Sequence, residues 1–461
     1  MRNDCTISQT DLTPLKQLRK GEKSMYRNRL ITVLILAPLC LGSALMAGDD
    51  DDEKAGGKPS NVVYVNSNNP AHNAVIAYRR NPLTGALTEM SGSPFATGGK
   101  GFYNTNERLG PDDHDQELVA TPDHKYLYAV NQGSGTIAAF RIQNDGSLKS
   151  VQGSPFPSGG MQPASIGMIE DGLIVANRGD QNPGGGGGTN VPNYAVFRMN
   201  GNGALELMSK LPLVPGSSPT QALVSPNGKL MFDTHLFEVP FDNTGFPPFI
   251  PPFSSVLHSY RIGDDGKLTP AGVANLPAPF PPFILGLQAH PKQKVIYVGL
   301  VVAGYLGAYT YDDSGAMTFV GAAAGSPNNG ICWIAVSPDA KYVFTSDAIT
   351  DHVDIFSIAN PTQPQFVGTL DLGGPRKLVN FPTDATIWST TPFQLQNSPD
   401  GRFLYVLNHE ATTDDSAPAG NALHILKVNA GGNLTETAAS PLIFPVSEVP
   451  AGAHPLGIVV F

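Results

Sequence analysis

A four-part phrase recurs along this chain, and few folds can be built from it. Positions 125 to 140 read KYLYAVNQGSGTIAAF. The phrase returns as KYVFTSDAITDHVDIF at 341 to 356 and, interrupted, as RFLYVLNHE and NALHIL between 402 and 426. Part a is an apolar segment running into a tight turn: ELVATPD, ALVSPNG, WIAVSPDA and LQNSPDG, with IGMIEDG and LGLQAHPKQ as variants. Asp or Asn sets the turn and Pro fixes φ just before it. Part b (KYLYAV, GLIVAN, KLMFDT, KVIYVG, KYVFTS, RFLYVL) alternates apolar and aromatic residues, and part c (TIAAFRI, NYAVFRM, VLHSYRI, LGAYTY, HVDIFSI, ALHILKV) follows it. Part d opens on Gly-x-Leu or a close variant, as in GSLKSV, GALELM and GNLTET. Period-two alternation rich in β-branched and aromatic residues predicts strands.

The turn residues Asp123, Asp171, Asn227, Lys292, Asp339 and Asp400 lie 48, 56, 65, 47 and 61 positions apart. Four strands per repeat at about 40 to 50 residues is the pattern of a β-propeller. The ends set the blade count. The repeats begin with b, c and d (NVVYVNS, AVIAY, GALTEM) without an a strand, and finish with a lone a strand, HPLGIVVF, at 454 to 461. A C-terminal strand that completes the N-terminal blade closes the ring and removes its open edges. The expectation is an all-β, seven-bladed propeller of four-stranded blades spanning 61–461.

Before the repeats, MYRNRLITVLILAPLCLGSALMA (25 to 47) has Arg27 and Arg29, an apolar run from Leu30 and small residues up to Ala47. That order predicts a secretory signal within an N-terminal extension, 1–47. Its apolar run is about half the roughly 20 residues needed to span a bilayer, so no transmembrane segment is expected in the mature form. Pro38 and Leu39 make Cys40 a poor lipidation site. Residues 48–60 read as an acidic flexible linker. Removing residues 1–47 leaves 22 basic and 36 acidic residues, net −14, which repels phosphate backbones and argues against a nucleic-acid partner. It also leaves Cys332 as the one thiol, which excludes an internal disulfide and a cysteine zinc site. A periplasmic or secreted monomer stabilised by packing is expected.

The repeats, with YVxN, TIxxFxI and Gly-x-Leu elements, SPDGKYLYV-like turns and GSPF at 92 to 95 and 153 to 156, resemble the lactonase-type seven-bladed propellers. These comprise the 6-phosphogluconolactonases, the carboxy-muconate cyclases and the exported YVTN-repeat proteins. The resemblance covers roughly 60 to 461 and implies the fold and, more weakly, lactone chemistry. Every motif that carries it is a strand or a turn, so no catalytic residue is transferred from it.

Candidate site residues come instead from where the copies differ. In a propeller the b–c and d–a connections share one face, and here they vary most in length. PDDHDQE (111 to 117) leads into an a strand, nearest the axis. A carboxylate beside an imidazole fixes its tautomer and raises its basicity, so His114 with Glu117 or Asp113 is the acid/base candidate. Arg178, at the end of a b strand, offers a planar fork for a carboxylate or a developing oxyanion. Asp180, His235, Asp347, His409, Glu410 and His454 add polar groups to the same face. Their histidines and carboxylates also suit a metal site, but no HxH or HExxH pair supports one, and no cofactor or metal is expected. The run GGGGG (184 to 188) lacks the context of a phosphate loop. Two Pro/Phe-rich loops place Phe246, Phe249, Phe253, Phe280 and Phe283 on this face as an aromatic wall, or as self-packed loop covers.

Two functions fit these residues. One is an exported hydrolase opening a sugar-acid or aromatic lactone by water attack in the central channel. The other is a non-catalytic propeller holding a protein or glycan on its long loops.

Overall fold

The computed structural model describes residues 59–102, 114–179, 191–235, 255–374, 376–380, 386–410, 420–450 and 453–461. The recurring phrase folds into seven antiparallel sheets, each ordered a-b-c-d from the inside outwards. Blade 1 is Ile458–Val460, Val62–Asn66, Ala74–Arg80 and Leu87–Glu89. Blade 2 is Leu118–Ala120, Tyr126–Asn131, Thr136–Ile142 and Leu148–Ser150, and blade 3 is Pro163–Ile169, Gly172–Asn177, Asn193–Met199 and Leu205–Pro212. Blade 4 is Leu223–Val224, Leu230–Thr234, Leu257–Ile262 and Leu268–Ala274, and blade 5 is Ile284–Ala289, Val295–Leu300, Tyr305–Tyr311 and Met317–Ala324. Blade 6 is Ile331–Val336, Tyr342–Asp347, His352–Ser357 and Gln365–Asp371, and blade 7 is Thr390–Asn397, Phe403–Glu410, Ala422–Val428 and Leu434–Glu436. A small hairpin, Leu378–Asn380 with Thr386–Trp388, stands between blades 6 and 7.

Each a strand neighbours that of the next blade, all the way round. Closure is as the sequence predicts: Ile458–Val460 pairs antiparallel with Val62–Asn66, Val459 opposite Tyr64. No helix among the described residues is long and apolar enough to cross a membrane.

The repeated letters have identifiable jobs. In the Ser/Thr-Pro-Asp/Asn turn, the hydroxyl bonds the carboxylate or amide two residues on, at 2.6 Å in Thr121–Asp123 and 2.7 Å in Ser337–Asp339. The same hydroxyl accepts the first N–H of the following b strand, Tyr126 and Tyr342, both at 3.0 Å. Blade 5 writes His290 in its place, whose Nδ1 accepts the N–H groups of Lys292 (3.1 Å) and Gln293 (3.0 Å). The tyrosine third in the b strand welds blade to blade. Tyr64, Tyr128 and Tyr405 donate to the carbonyls of Gly146, Gly203 and Gly85, which lie in the c–d turn of the next blade. In the GSPF copies the serine hydroxyl accepts a c-strand N–H, from Ala77 to Ser93 (3.0 Å) and from Ala139 to Ser154 (2.8 Å). The motifs that recur are therefore all structural.

At the centre the a strands come so close that side chains do not fit everywhere. Gly286 has φ 60°, and a Cβ there would lie 2.1 Å from the Cys332 carbonyl oxygen of the next blade. Gly457 has φ 89°, and its Cβ would lie 2.7 Å from the backbone nitrogen of Leu118. Between blades the contact is apolar. Tyr128, Val130 and Ile137 of blade 2 meet Ile166, Leu173 and Val175 of blade 3 in one buried cluster.

Candidate active site

Residues 114–117 enter the a strand of blade 2 and are pinned by their neighbours. The Asp115 N–H donates to the Thr220 carbonyl of blade 4 (3.2 Å), and the Gln116 carbonyl accepts from Ile166 N–H of blade 3 (2.9 Å). Gln116 takes φ 69°, a left-handed conformation uncommon outside glycine. This fixed turn aims two side chains inwards. His114 Nδ1 meets Glu117 Oε1, and both residues are 0% exposed.

The carboxylate is held from its other side by blade 7. Gln394 Nε2 donates to Glu117 Oε2 and, at 3.3 Å, to the His114 carbonyl. Gln394 Oε1 in turn accepts the N–H of Gly457 in blade 1. Beside them His409 Nε2 lies 2.6 Å from the Pro455 carbonyl. Its ring is stacked between Phe393 (4.3 Å) and His454 (4.9 Å). The structure thus brings His114, Glu117, His409 and His454 into one buried group at the meeting of blades 7, 1 and 2.

The electrostatics of this group follow from burial. Desolvation raises the Glu117 carboxyl above the usual range, although His114 and the Gln394 amide pull it back. Desolvation and then the Glu117 charge raise Asp115 from 3.8 to about 7. His409 falls well below the ordinary imidazole value, first by burial and then by the charges of His454 and His114, so it is neutral. Neutral His409 donates from Nε2 to Pro455, which leaves the lone pair on Nδ1.

A pH effect on stability follows from Asp115. Its folded value of about 7 exceeds the unfolded 3.8, so between these pH values the folded state binds more protons than the unfolded one. Stability is therefore expected to fall as pH rises through that window, with Glu117 adding a fall of the same sign. Urea titrations at pH 4.5 and 7.5 should show a smaller difference in Asp115→Asn than in wild type.

The other candidates are distributed as follows. Arg178 is buried at the end of its b strand in blade 3, its N–H donating to the Gln162 carbonyl (3.0 Å). His235 belongs to a separate cluster between blades 3 and 4. There it stacks on His258 (4.5 Å) and meets Tyr194 Oη (3.1 Å), which donates to buried Asp233. Asp347 caps its own b–c turn, Oδ1 accepting from Gly330 (2.6 Å), Ile349 and Thr350 N–H groups. His409 and Glu410, expected in a loop, are the last residues of a longer b strand, because the a strand of blade 7 starts early and pairs Thr391 with His409 and Thr390 with Glu410.

The aromatic wall is corrected at Phe283, and Phe280 follows the self-packed alternative. Phe283 is 3% exposed in the core with Trp333, Phe344 and Leu285, and Phe280 packs edge-on against Tyr305 (5.2 Å). Phe283 follows a Pro-rich turn but packs against Trp333 and Phe344 of blade 6, where apolar burial outweighs exposure to a ligand. Asp113, Asp180, Phe246, Phe249 and Phe253 lie outside the described residues. Among the described residues no cluster of three or more His, Cys, Asp or Glu side chains is arranged to hold a metal ion.

Sequence reasoning missed Gln394, Gly457, Asp115 and Phe393. Of these Asp115 alone carried a signal, as the acidic residue between His114 and Glu117.

No protein-family model matches the sequence, and no curated protein matches it either. Solved structures do. A candidate 6-phosphogluconolactonase from Bacteroides fragilis is similar with a TM-score of 0.59 at 18% identity, over 89% of this chain and 99% of that one. The periplasmic gluconolactonase PpgL of Pseudomonas aeruginosa is similar with a TM-score of 0.57 at 16% identity, over 86% and 98%. A hypothetical selenium-binding protein from Sulfolobus tokodaii gives 0.56 at 15%, over 87% and 94%. At these identities the likeness is one of fold: the chain has the seven-bladed architecture of the lactonase-type propellers, an architecture that carries more than one activity.

Proposed function

We propose that this protein is an exported lactonase-like hydrolase acting on a sugar-acid or aromatic lactone. The observation that carries the reading is the His114–Glu117 pair. It is an imidazole and a carboxylate in contact, buried where the innermost strand of blade 2 begins, and held by a left-handed turn. In the proposed reaction His114 Nε2 takes a proton from water as the hydroxyl adds to the lactone carbonyl. The ring C–O bond of the tetrahedral intermediate then breaks, and the imidazolium returns the proton to the departing alkoxide, giving the open hydroxy acid. Glu117 stabilises the imidazolium between these steps. Arg178, a buried cation of the neighbouring blade, is the proposed partner of the oxyanion. Burial strengthens each of these interactions. It also means that a lactone must displace the groups covering the pair before water can be activated there.

Two supports are independent of the site. The fold is shared with a protein described as a periplasmic gluconolactonase, and residues 25–47 read as an export signal. The test is proton release from a panel of sugar-acid and aromatic lactones, corrected for spontaneous opening. Saturable turnover that is lost in His114→Ala and reduced in Arg178→Ala is the expected result. Absence of turnover across the panel would reject the hydrolase and leave a propeller that binds a protein or glycan on its variable loops.

A further inference from the structure

One hydrogen-bonded chain in the molecule joins three blades and ends on a titratable pair. Gly457 N–H in blade 1 donates to Gln394 Oε1 in blade 7. Gln394 Nε2 donates to Glu117 Oε2 and to the His114 carbonyl in blade 2 (3.3 Å), and Glu117 Oε1 meets His114 Nδ1. The orientation of a side-chain amide is ordinarily ambiguous and is settled by its partners. Here the partners leave one choice. A backbone N–H is a donor only, so the amide oxygen faces Gly457. A carbonyl oxygen is an acceptor only, so the NH₂ faces His114 and Glu117. Turning the amide over would place donor against donor at Gly457 and acceptor against acceptor at the His114 carbonyl.

The fixed NH₂ then acts on the carboxyl. Donation into Oε2 favours the ionised form of Glu117, which can only accept. With Glu117 ionised, the proton in its contact with His114 comes from the ring. We infer that Gln394 is a positioning residue that sets the His114 tautomer, Nδ1 protonated and Nε2 bearing the lone pair, and that the N–H of Gly457 on the closing strand is what orients it. Ring closure and the readiness of the base are thus one hydrogen-bonded unit.

A second glutamine shows which part of this is general. At the matching place in blade 4, Gln221 Oε1 accepts from Leu287 N–H (2.8 Å), and its Nε2 donates to the Leu287 carbonyl and Gln116 Oε1 (both 3.0 Å). It too clamps the backbone of the next blade, but its donor end meets no titratable side chain. The clamp is shared. What sets Gln394 apart is the pair its NH₂ faces.

The test is nitrogen NMR of the full chain labelled in its ten histidines, with His114 identified by its loss in His114→Gln. In wild type, His114 should show a protonated Nδ1 and a lone-pair Nε2. A wild-type ring protonated at Nε2 instead overturns the inference before any clamp variant is made. In Gln394→Ala the Nδ1–H form should give way to a mixture or to Nε2–H. Gln221→Ala, which removes a comparable clamp, should leave the tautomer in place. An unchanged His114 in a folded Gln394→Ala protein also overturns the inference.

The kinetic consequence rests on the hydrolase reading. Gln394→Ala should lower kcat/KM for the lactone by about 100-fold, through misplacement of the base. If no lactone is turned over while the tautomer still follows Gln394, the hydrolase fails and the positioning role stands.

Discussion

Glu117→Gln is expected to lower kcat for lactone opening by a factor on the order of 10² to 10⁴ while leaving the fold intact. The amide has the shape of the carboxylate, so the reason is the direction of its hydrogen bonds. Gln394, held by Gly457, presents its NH₂ to position 117. A glutamine there must turn its oxygen to that NH₂, and its own NH₂ then faces His114 Nδ1. The ring accommodates this by moving its proton to Nε2. Every hydrogen bond is kept, but the nitrogen that should take a proton from water now carries one. Stability moves the other way. Burial raises the Glu117 carboxyl, so at neutral pH its ionisation opposes folding, and the neutral amide removes that opposition. Thermal melting at pH 7.5 should therefore give a Tm equal to or above that of wild type, alongside the loss of turnover. A lower Tm with activity retained would remove Glu117 from the site.

How far the sequence revealed this arrangement depends on the distance over which each contact acts. The blades were readable because their signals are local. The hydroxyl of Thr121 or Ser337 and its Asp partner are two residues apart, and alternation in KYLYAV needs only one strand. Closure was readable from counting, because the lone strand at 454–461 has one vacant edge to fill. His114 and Glu117 were readable as neighbours three positions apart on a loop that enters an a strand. Gln394 was not, because its partner Glu117 lies 277 residues away and the two meet only in a closed ring. Gln394, one residue ahead of LQNSPDG, also looks like any strand residue. Phe283 was misplaced for the opposite reason. Its local neighbours, a run of Pro and Phe, suggested a loop, and only the packing of blades 5 and 6 shows it to be core.

The second large effect is on the ring itself. Deleting residues 457–461 should leave a chain that does not fold cooperatively at 37 °C. Ile458, Val460 and Phe461 are each at most 7% exposed. Withdrawing each from its site forfeits about 1.5–3 kcal/mol. Three such losses approach the whole stability of an ordinary domain, about 5–15 kcal/mol. The ladder to Val62–Asn66 goes with them, which exposes a hydrogen-bonding edge at the centre of the molecule and favours aggregation. Phe461→Ala is the graded form of the same experiment. The Phe461 ring stacks on His124 (3.9 Å) and meets Tyr64 edge-on (5.7 Å), so its loss should cost about 3–5 kcal/mol in urea unfolding. The Gly457 N–H is retained in that variant, so turnover by the folded fraction should persist. If activity falls far more than the folded fraction does, strand 458–460 supports the site by more than closing the ring. If the truncated chain instead unfolds with a wild-type midpoint, blade 1 does not depend on its C-terminal strand.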